Sequence, residues 1–481
     1  MTATTPTGTA PTGTAPAPTS ARRFADHPLD WAGGDYTALH RFDPGELADL
    51  QLAALRERFA ALHGRLDVLT AMVEETGVDD LPDLDAAVPL LFSPEVYKSY
   101  PAALLHRKRF DHLTRWLGRL TTVDLAGADP AVAGNVDDWL SDLDDRTDLR
   151  VQHSSVTSGT MSFVPHTHAE VDAMFAVVGA RVRRADGHDG APVPVVWPMV
   201  RHGRSGIMRC VDALADHVAG GEDGVYAMHP GRMSADVMLL AGRLAAARAR
   251  GETPDDALTD PDLLARRDEF EQLRRESDAA LPGFTARLAD ELRGRRVYLM
   301  NTWNTLHGLA TAGLDRGLTG VFAPDSAVEP GGGTKGAHMP DDWQDHVRRF
   351  TGADRLRHIY AMTETTALHP MCAEGRYHLE PWTVAYVLDP VTDEPAPRRG
   401  THTGRGAFVD LLARTHWGGF RSEDRVTVTY DRCACGRGTP QVHDGIVRLT
   451  EAGDPDKINC AATDRAHRGA LEHLTARGGD R

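Results

Sequence analysis

Residues 151–178 read VQHSSVTSGTMSFVPHTHAEVDAMFAVV, and this stretch decides how the rest of the chain is read. Thr157, Ser158, Gly159 and Thr160 are small. Their backbone N–H groups can approach an anion closely, and their hydroxyls add donors. The helical pattern over 168–182 would then aim its N-terminus at the same charge. The same residues equally suit a capping turn ahead of that helix. A nucleotide loop would go on to glycine and lysine, whereas here Met161, Ser162 and Phe163 follow. His166 and His168 open the helix and read as caps or substrate-side residues rather than as metal ligands.

Three further segments bear on the choice. IYAMTETTALHP (359–370) reads as a strand ending in Thr363 and Glu364. The hydroxyl could meet a phosphate, and the carboxylate suits Mg²⁺, a hard cation that prefers oxygen. In FRSEDRVTV (420–428), Asp424 enters a strand and could accept hydrogen bonds from ribose hydroxyls. PGGGTKG (330–336) allows close backbone approach to a planar base, or forms a plain loop. Each segment alone also fits an ordinary turn.

Taken together and in this order, the four motifs resemble the adenylate-forming superfamily. The nearer likeness is to its phenylacetate–CoA ligase-like branch and to the acyl-protein synthetases of bioluminescence operons. It rests on GGGTKG, on HLEPWTVAYVLDPVTDEPAP (378–397) and on GRGAFVDLLARTHWGGFRSEDRV (404–426). It runs from about residue 89 onward and is strongest after 331. The resemblance implies an α/β fold: a large adenylating domain over 23–448, β-rich over about 380–448, and a reduced C-terminal segment over 449–481. It implies that Thr157, Ser158, Gly159 and Thr160 contact ATP phosphates and that Gly332 and Gly333 line the adenine site. Tyr360 would stack near the base, Thr363 would touch the α-phosphate, Glu364 would hold Mg²⁺ and Asp424 would bind ribose. The altered loop over 161–166 implies a weakened or rearranged pyrophosphate contact. The chain has four lysines, at 98, 108, 335 and 457. Lys335 and Lys457 are the candidates for the missing phosphate-loop charge, and Lys457 also for the catalytic lysine that such enzymes carry on a swinging C-terminal domain.

Cysteine adds a second chemistry. Cys372 and His378, with Cys433 and Cys435, make a three-thiolate, one-imidazole set suited to tetrahedral Zn²⁺, and the resembling branch often has a similar arrangement. Such a site would be structural. Cys460 lies near Lys457, similar in placing to the acyl-accepting cysteine of the bioluminescence synthetases. A neighbouring cation favours the thiolate that acyl transfer needs. The other reading of Cys460 is a small buried residue.

The bulk properties agree with an enzyme of this size. The 481 residues are 25% charged and 41% hydrophobic with net charge −16, which excludes a general nucleic-acid or anionic-membrane binder. No apolar run is long enough for a membrane helix. The N-terminus lacks a secretory pattern, and five cysteines do not make a disulfide scaffold, so a cytoplasmic setting is expected. Residues 1–22, rich in Thr, Pro and Ala, are expected to be a disordered tail.

Helices are expected over 44–76, 109–125 and 234–293, the last broken at 251–254 and near Pro282. Strands are expected over 191–200, 295–303, 318–328 and 356–364, and a β-rich region from 383. Trp197, Met199, Trp303 and His307 are the expected acyl-pocket residues. The expected reaction joins a small carboxylate to ATP with Mg²⁺, then passes the acyl group to a thiol (Cys460 or a partner protein), or to an amine. A standalone ligase making an amide or a coenzyme A thioester is the competing enzyme reading. A non-catalytic nucleotide- or partner-binding relative is the competing reading from another class.

Overall fold

The computed structural model describes residues 19–93, 95–154, 160–249, 251, 267–332 and 339–449. The first long helix, Pro44–Leu62, starts where Asp43 accepts the Gly45 N–H and Pro44 presets the first turn. It buries Leu47, Gln51, Ala54, Leu55, Arg58, Phe59 and Leu62, residues at helical spacing. Two of these are polar because they meet backbone carbonyls. Gln51 donates to Pro381 O at 2.8 Å, and Arg58 donates to Leu411 O at 2.8 Å. The helix is thereby tied to the antiparallel half of the molecule. The next helix, Asp67–Thr76, ends at Gly77 with φ 71°, the left-handed cap that glycine adopts without a Cβ penalty.

After a short pair, β1 (Gln152–His153) and β2 (Phe163–Val164), the chain builds a parallel sheet. Its strands are β3 (Val195–His202), β4 (Val225–Arg232), β5 (Tyr298–Thr302), β6 (Ala327–Gly331) and β7 (Ile359–Tyr360), with β8 (His369–Pro370) antiparallel at one edge. The order is β4-β3-β5-β6-β7-β8. Side chains alternate across this sheet, and both faces are covered. Val195, Trp197, Tyr298, Met300 and Ala327 enter the large core, while Val196, Val297, Leu299 and Val328 enter a second one. That second core lies under the helices Arg267–Leu292, Trp303–Leu314 and Trp343–Thr351. An ion pair is sunk in the sheet: Arg181 holds Glu329 through both guanidinium nitrogens, one contact at 2.9 Å, and Tyr298 OH donates to the same carboxylate at 2.7 Å.

The antiparallel sheet runs β10-β11-β12-β13-β9, with β14 also on β12. These strands are β9 (Arg376–His378), β10 (Thr383–Leu388), β11 (Thr401–Asp410), β12 (Gly419–Thr429), β13 (Gln441–His443) and β14 (Val447–Arg448). A bulge breaks the β11–β12 register between Arg405 and Ala407. At Gly406 a Cβ would stand 3.1 Å from Val426 and 3.2 Å from Ser422.

The structure corrects several expectations. Pro282 does not break its helix, because Phe284, Leu288, Ala289 and Leu292 beyond it pack into the second core. The strand expected over 318–328 is displaced to β6. Gly320, Val321 and Phe322 instead donate to Arg349, Phe350 and Thr351 at the end of a helix, and Pro324 has no N–H to give a ladder. The strand expected over 356–364 is only the two residues of β7. Strand β4 was not read from the sequence, and the β-rich region opens at β9, a little before residue 380.

Candidate active site

The chain passes from β3 to β4 on one side and then returns to lay β5 on the other side of β3. At such a reversal the loops diverge, leaving a crevice beyond the C-terminal strand ends. A cavity of about 200 Å³ occupies this position. Met199 of β3, Met300, Asn301 and Thr302 of β5, and Gly331 of β6 reach it. Ser205, Gly206, Ile207 and Cys210 close it from the helix Gly206–Leu214, with Ala361, Met362 and Thr363 from the segment after β7. Most of this wall is apolar. The exceptions are Gln152, His153, Asn301 and a few hydroxyls. Asn301 is buried, its Oδ1 accepts the Thr302 N–H at 2.8 Å, and its Nδ2 has no partner among the described residues. Burial pushes His153 down to about 4, keeping that ring neutral.

Glycines allow the close approaches. A Cβ on Gly331 would stand 2.9 Å from Ile359, and Gly332 has φ 75°. A Cβ on Gly206 would stand 3.0 Å from the Thr363 hydroxyl, so the helix start and the Thr363 segment touch across the cavity mouth.

Tyr360 and Asp424 lie 64 positions apart and meet here. Tyr360 OH donates to Asp424 Oδ2 at 2.9 Å, and Arg448 Nε stands 3.4 Å from Asp424 Oδ1. The Tyr360 ring lies among His369, Tyr377 and Phe408, with centroids 6.0–6.3 Å away. Burial pushes the Asp424 carboxyl up, opposed by Arg448 and the Tyr360 hydrogen bond. Glu364 is likewise raised by burial, with Asp424 adding repulsion and Arg448 and His166 opposing it. One edge of the cleft therefore holds two carboxyls whose charge lacks full compensation.

The segment after the hydroxyl-rich turn is core. Met161, Phe163 and Val164 are fully buried. Tyr100 OH donates to Met161 O at 2.7 Å, and His166 Nε2 lies 2.8 Å from Thr363 O. Ser154 N donates to Ser162 O. Thr160 is of intermediate burial. Thr157, Ser158, Gly159, Gly333, Lys335, Lys457 and Cys460 lie outside the described residues, as do 450–481 and 1–18.

Of the expected acyl-pocket residues, Met199 lines the cavity. Trp197 is in the large core with its Nε1 on Val200 O at 3.1 Å. Trp303 is in the second core beside Trp343, and His307 stacks on His346 at 5.4 Å. Sequence reasoning missed Gln152, His153, Asn301 and Met362. Asn301 alone carried a signal, as a polar residue ending an apolar strand.

The four zinc candidates do converge. Ligand atoms of Cys372, His378, Cys433 and Cys435 all lie within 4.8 Å of one another, and Cys435 Sγ is 3.2 Å from His378 Nε2. His378 Nδ1 pairs with Thr439 Oγ1 at 3.2 Å, a contact that orients the ring with Nε2 toward the thiols. The donor set and its closeness fit a structural zinc ion, which would pin β9 to the 433–439 turn.

No family model matches the sequence, and no curated protein sequence does. Solved structures are similar. A 2-hydroxyisobutyryl-CoA ligase, in complex with 2-HIB-AMP and CoA in the thioesterification state, aligns with 86% of this chain and 71% of its own, at 13% identity and TM-score 0.50. The chain shares the fold of that ligase. The open conformation of the same ligase aligns over 86% and 72%, at 14% identity and TM-score 0.48. ATP-bound MatB from Rhodopseudomonas palustris aligns over 62% and 47%, at 15% identity and TM-score 0.34. The Tyr360–Asp424 pair joins β7 of the parallel sheet to β12 of the antiparallel sheet, beside a cavity whose wall comes from the parallel-sheet side.

Proposed function

We propose that this protein activates a small carboxylic acid with ATP and passes the acyl group to a thiol or an amine. The observation that carries this reading is the seam where this pair joins the two sheets. A small, largely apolar cavity ends at Gly332 and Thr363, and the pair of buried Tyr360 and half-buried Asp424 stands beside it. The acid's body would fill the cavity, with its carboxylate near Thr363. Asp424 would accept from ribose hydroxyls. Glu364 would hold Mg²⁺, which supplies positive charge for the phosphates. A carboxylate oxygen attacks the α-phosphorus, the bond to the bridging oxygen breaks, and pyrophosphate leaves with that electron pair. The first N–H groups of the helix Gly206–Leu214 have no helical acceptor and lie by Thr363, a fitting place for developing negative charge. The acceptor's thiol or amine then attacks the acyl carbon and AMP departs.

The cavity volume of about 200 Å³ falls below the ~300–1,000 Å³ typical of drug-sized ligands. It therefore favours a small acid over a long fatty chain. Asn301, with its open Nδ2, favours an acid bearing one hydrogen-bond acceptor away from its carboxylate. The test is pyrophosphate release across a panel of small aromatic, hydroxylated and branched acids. Release that depends on particular acids is the expected result. ATP binding without release for any acid would mean a nucleotide-binding relative instead.

A further inference from the structure

Three buried groups face each other in the core, two of them one helical turn apart and the third almost 250 positions on, and their hydrogen-bonding capacity does not balance. His166 Nε2 stands 2.8 Å from the Thr363 carbonyl oxygen. A carbonyl only accepts, so Nε2 carries the proton and Nδ1 is a bare lone pair. That Nδ1 is buried, has no hydrogen-bond partner among the described residues, and lies 4.0 Å from Glu170 Oε2. Glu170 is fully buried. Its Oε2 accepts the Thr167 N–H at 2.8 Å, closing a capping box, and its Oε1 accepts from Arg414 N and Thr415 N at 2.6 and 3.2 Å. One further lone pair of Oε2 is therefore available toward the histidines. His416 is also fully buried, and neither of its ring nitrogens has a hydrogen-bond partner among the described residues. Its Nδ1 is 3.8 Å from the same Oε2, and its ring stands edge-on to His166, centroids 5.1 Å apart.

His166 Nδ1 and Glu170 Oε2 are acceptors 4.0 Å apart in a dry core, and His416, with one N–H and one lone pair, can turn its lone pair toward them, so the group can hold something positive at its centre. Ligand atoms around a tetrahedral ion with bonds near 2.0–2.1 Å stand roughly 3.4 Å apart. The separations from Glu170 Oε2, 4.0 Å to His166 and 3.8 Å to His416, exceed this by about half an ångström, and all three ligand atoms lie within 4.8 Å of one another. We propose that His166, Glu170 and His416 bind a divalent transition-metal ion, with zinc the best match to two imidazoles and a carboxylate. The His166 Nε2–H bond to Thr363 O is the carbonyl contact that commonly orients a metal-bound imidazole. The ion would join three elements: the start of the helix His168–Arg184, the 414–417 segment after β11, and the Thr363–Glu364 segment at the cleft. Its role is positioning, and the site stands whether or not the protein proves to be a ligase.

The Cys372 cluster would mask this ion in a simple metal assay, so the probe is Co²⁺, read by absorption of the full-length chain. Cobalt on thiolates gives an intense near-ultraviolet charge-transfer band, and cobalt on nitrogen and oxygen does not. The expected result is one equivalent that adds visible ligand-field absorption without the thiolate band. It should persist in the Cys433→Ser/Cys435→Ser chain and disappear in His416→Gln. Saturation of the wild-type chain with the thiolate signal alone, or no uptake at all, would overturn the site and leave a bridging water as the occupant. Should the cysteine variant fail to fold, the wild-type titration decides alone. His166→Gln should lose the same equivalent, and its retention there would also overturn the assignment.

Discussion

The two sheets solve different problems. In the parallel sheet both faces are covered and β5 is buried along nearly its whole length, so chemistry is possible only where the strands stop. The cavity sits there, walled by residues at strand ends. In the antiparallel sheet β10 is buried throughout, whereas β12 alternates toward solvent from Arg421 to Thr429. That sheet can carry Asp424 in mid-strand and present it sideways to Tyr360. The parallel sheet supplies shape, and the antiparallel sheet supplies charge. A site at their seam can tune acid selection and nucleotide contact separately.

The largest expected effect breaks the parallel sheet. Replacing Glu329 with Ala leaves Arg181 buried and unpaired and strips Tyr298 of its acceptor. Such changes cost about 3–5 kcal/mol, to be read as a lowered denaturation midpoint, whereas an exposed control such as Arg448→Ala should cost well under that. Next, Asp424→Ala should raise KM for ATP roughly 10–100-fold, in line with about 1.4–2.7 kcal/mol for a lost charged contact, with little change in acid preference. Met199→Trp should do the reverse, narrowing the accepted acids while leaving KM for ATP within a few-fold. Equal effects of these two changes on both substrates would break the division between the sheets.

A smaller effect is expected with pH. His153 and His369 are held neutral by burial, both pushed down to about 4, while an unfolded histidine titrates near ~6.5. Between these values the unfolded state binds more protons, so stability should fall as pH drops from about 6.5 toward 4. Asp236 acts in the opposite sense. Its carboxyl is raised by burial beside Asp137, so it weakens the fold as pH rises past the usual carboxylate range. His369→Gln should flatten the acid limb measured by chemical denaturation at several pH values, and an unchanged limb would show that His369 is not buried neutral.

Legibility followed the reach of each interaction. The helix Pro44–Leu62 and strands β3, β5 and β10–β12 were readable because periodicity, caps and β-branched runs act over a few residues. The displaced strand at 318–328 was not, since its backbone partners lie at the end of a helix some thirty positions on. Cys433 and Cys435 were readable as metal candidates because thiols are few. The His166, Glu170 and His416 group was not, because His166 and Glu170 look like a helix start and His416 is almost 250 positions away. The same holds for the cavity. Met199 was legible as part of an apolar strand, while its neighbour Trp197, equally apolar, turned into the core. Only the settled fold decides which side chains at a strand's end face the crevice.

The central claim is attack by a carboxylate on the α-phosphorus at the seam of the two sheets. Its most direct measurement uses an acid accepted by the enzyme and labelled with ¹⁸O in its carboxylate. Mass analysis of the products after turnover should find the label in AMP, because the carboxylate oxygen bonded to phosphorus leaves with it. Label in inorganic phosphate or pyrophosphate, with unlabelled AMP or ADP, would place the attack elsewhere and contradict the account.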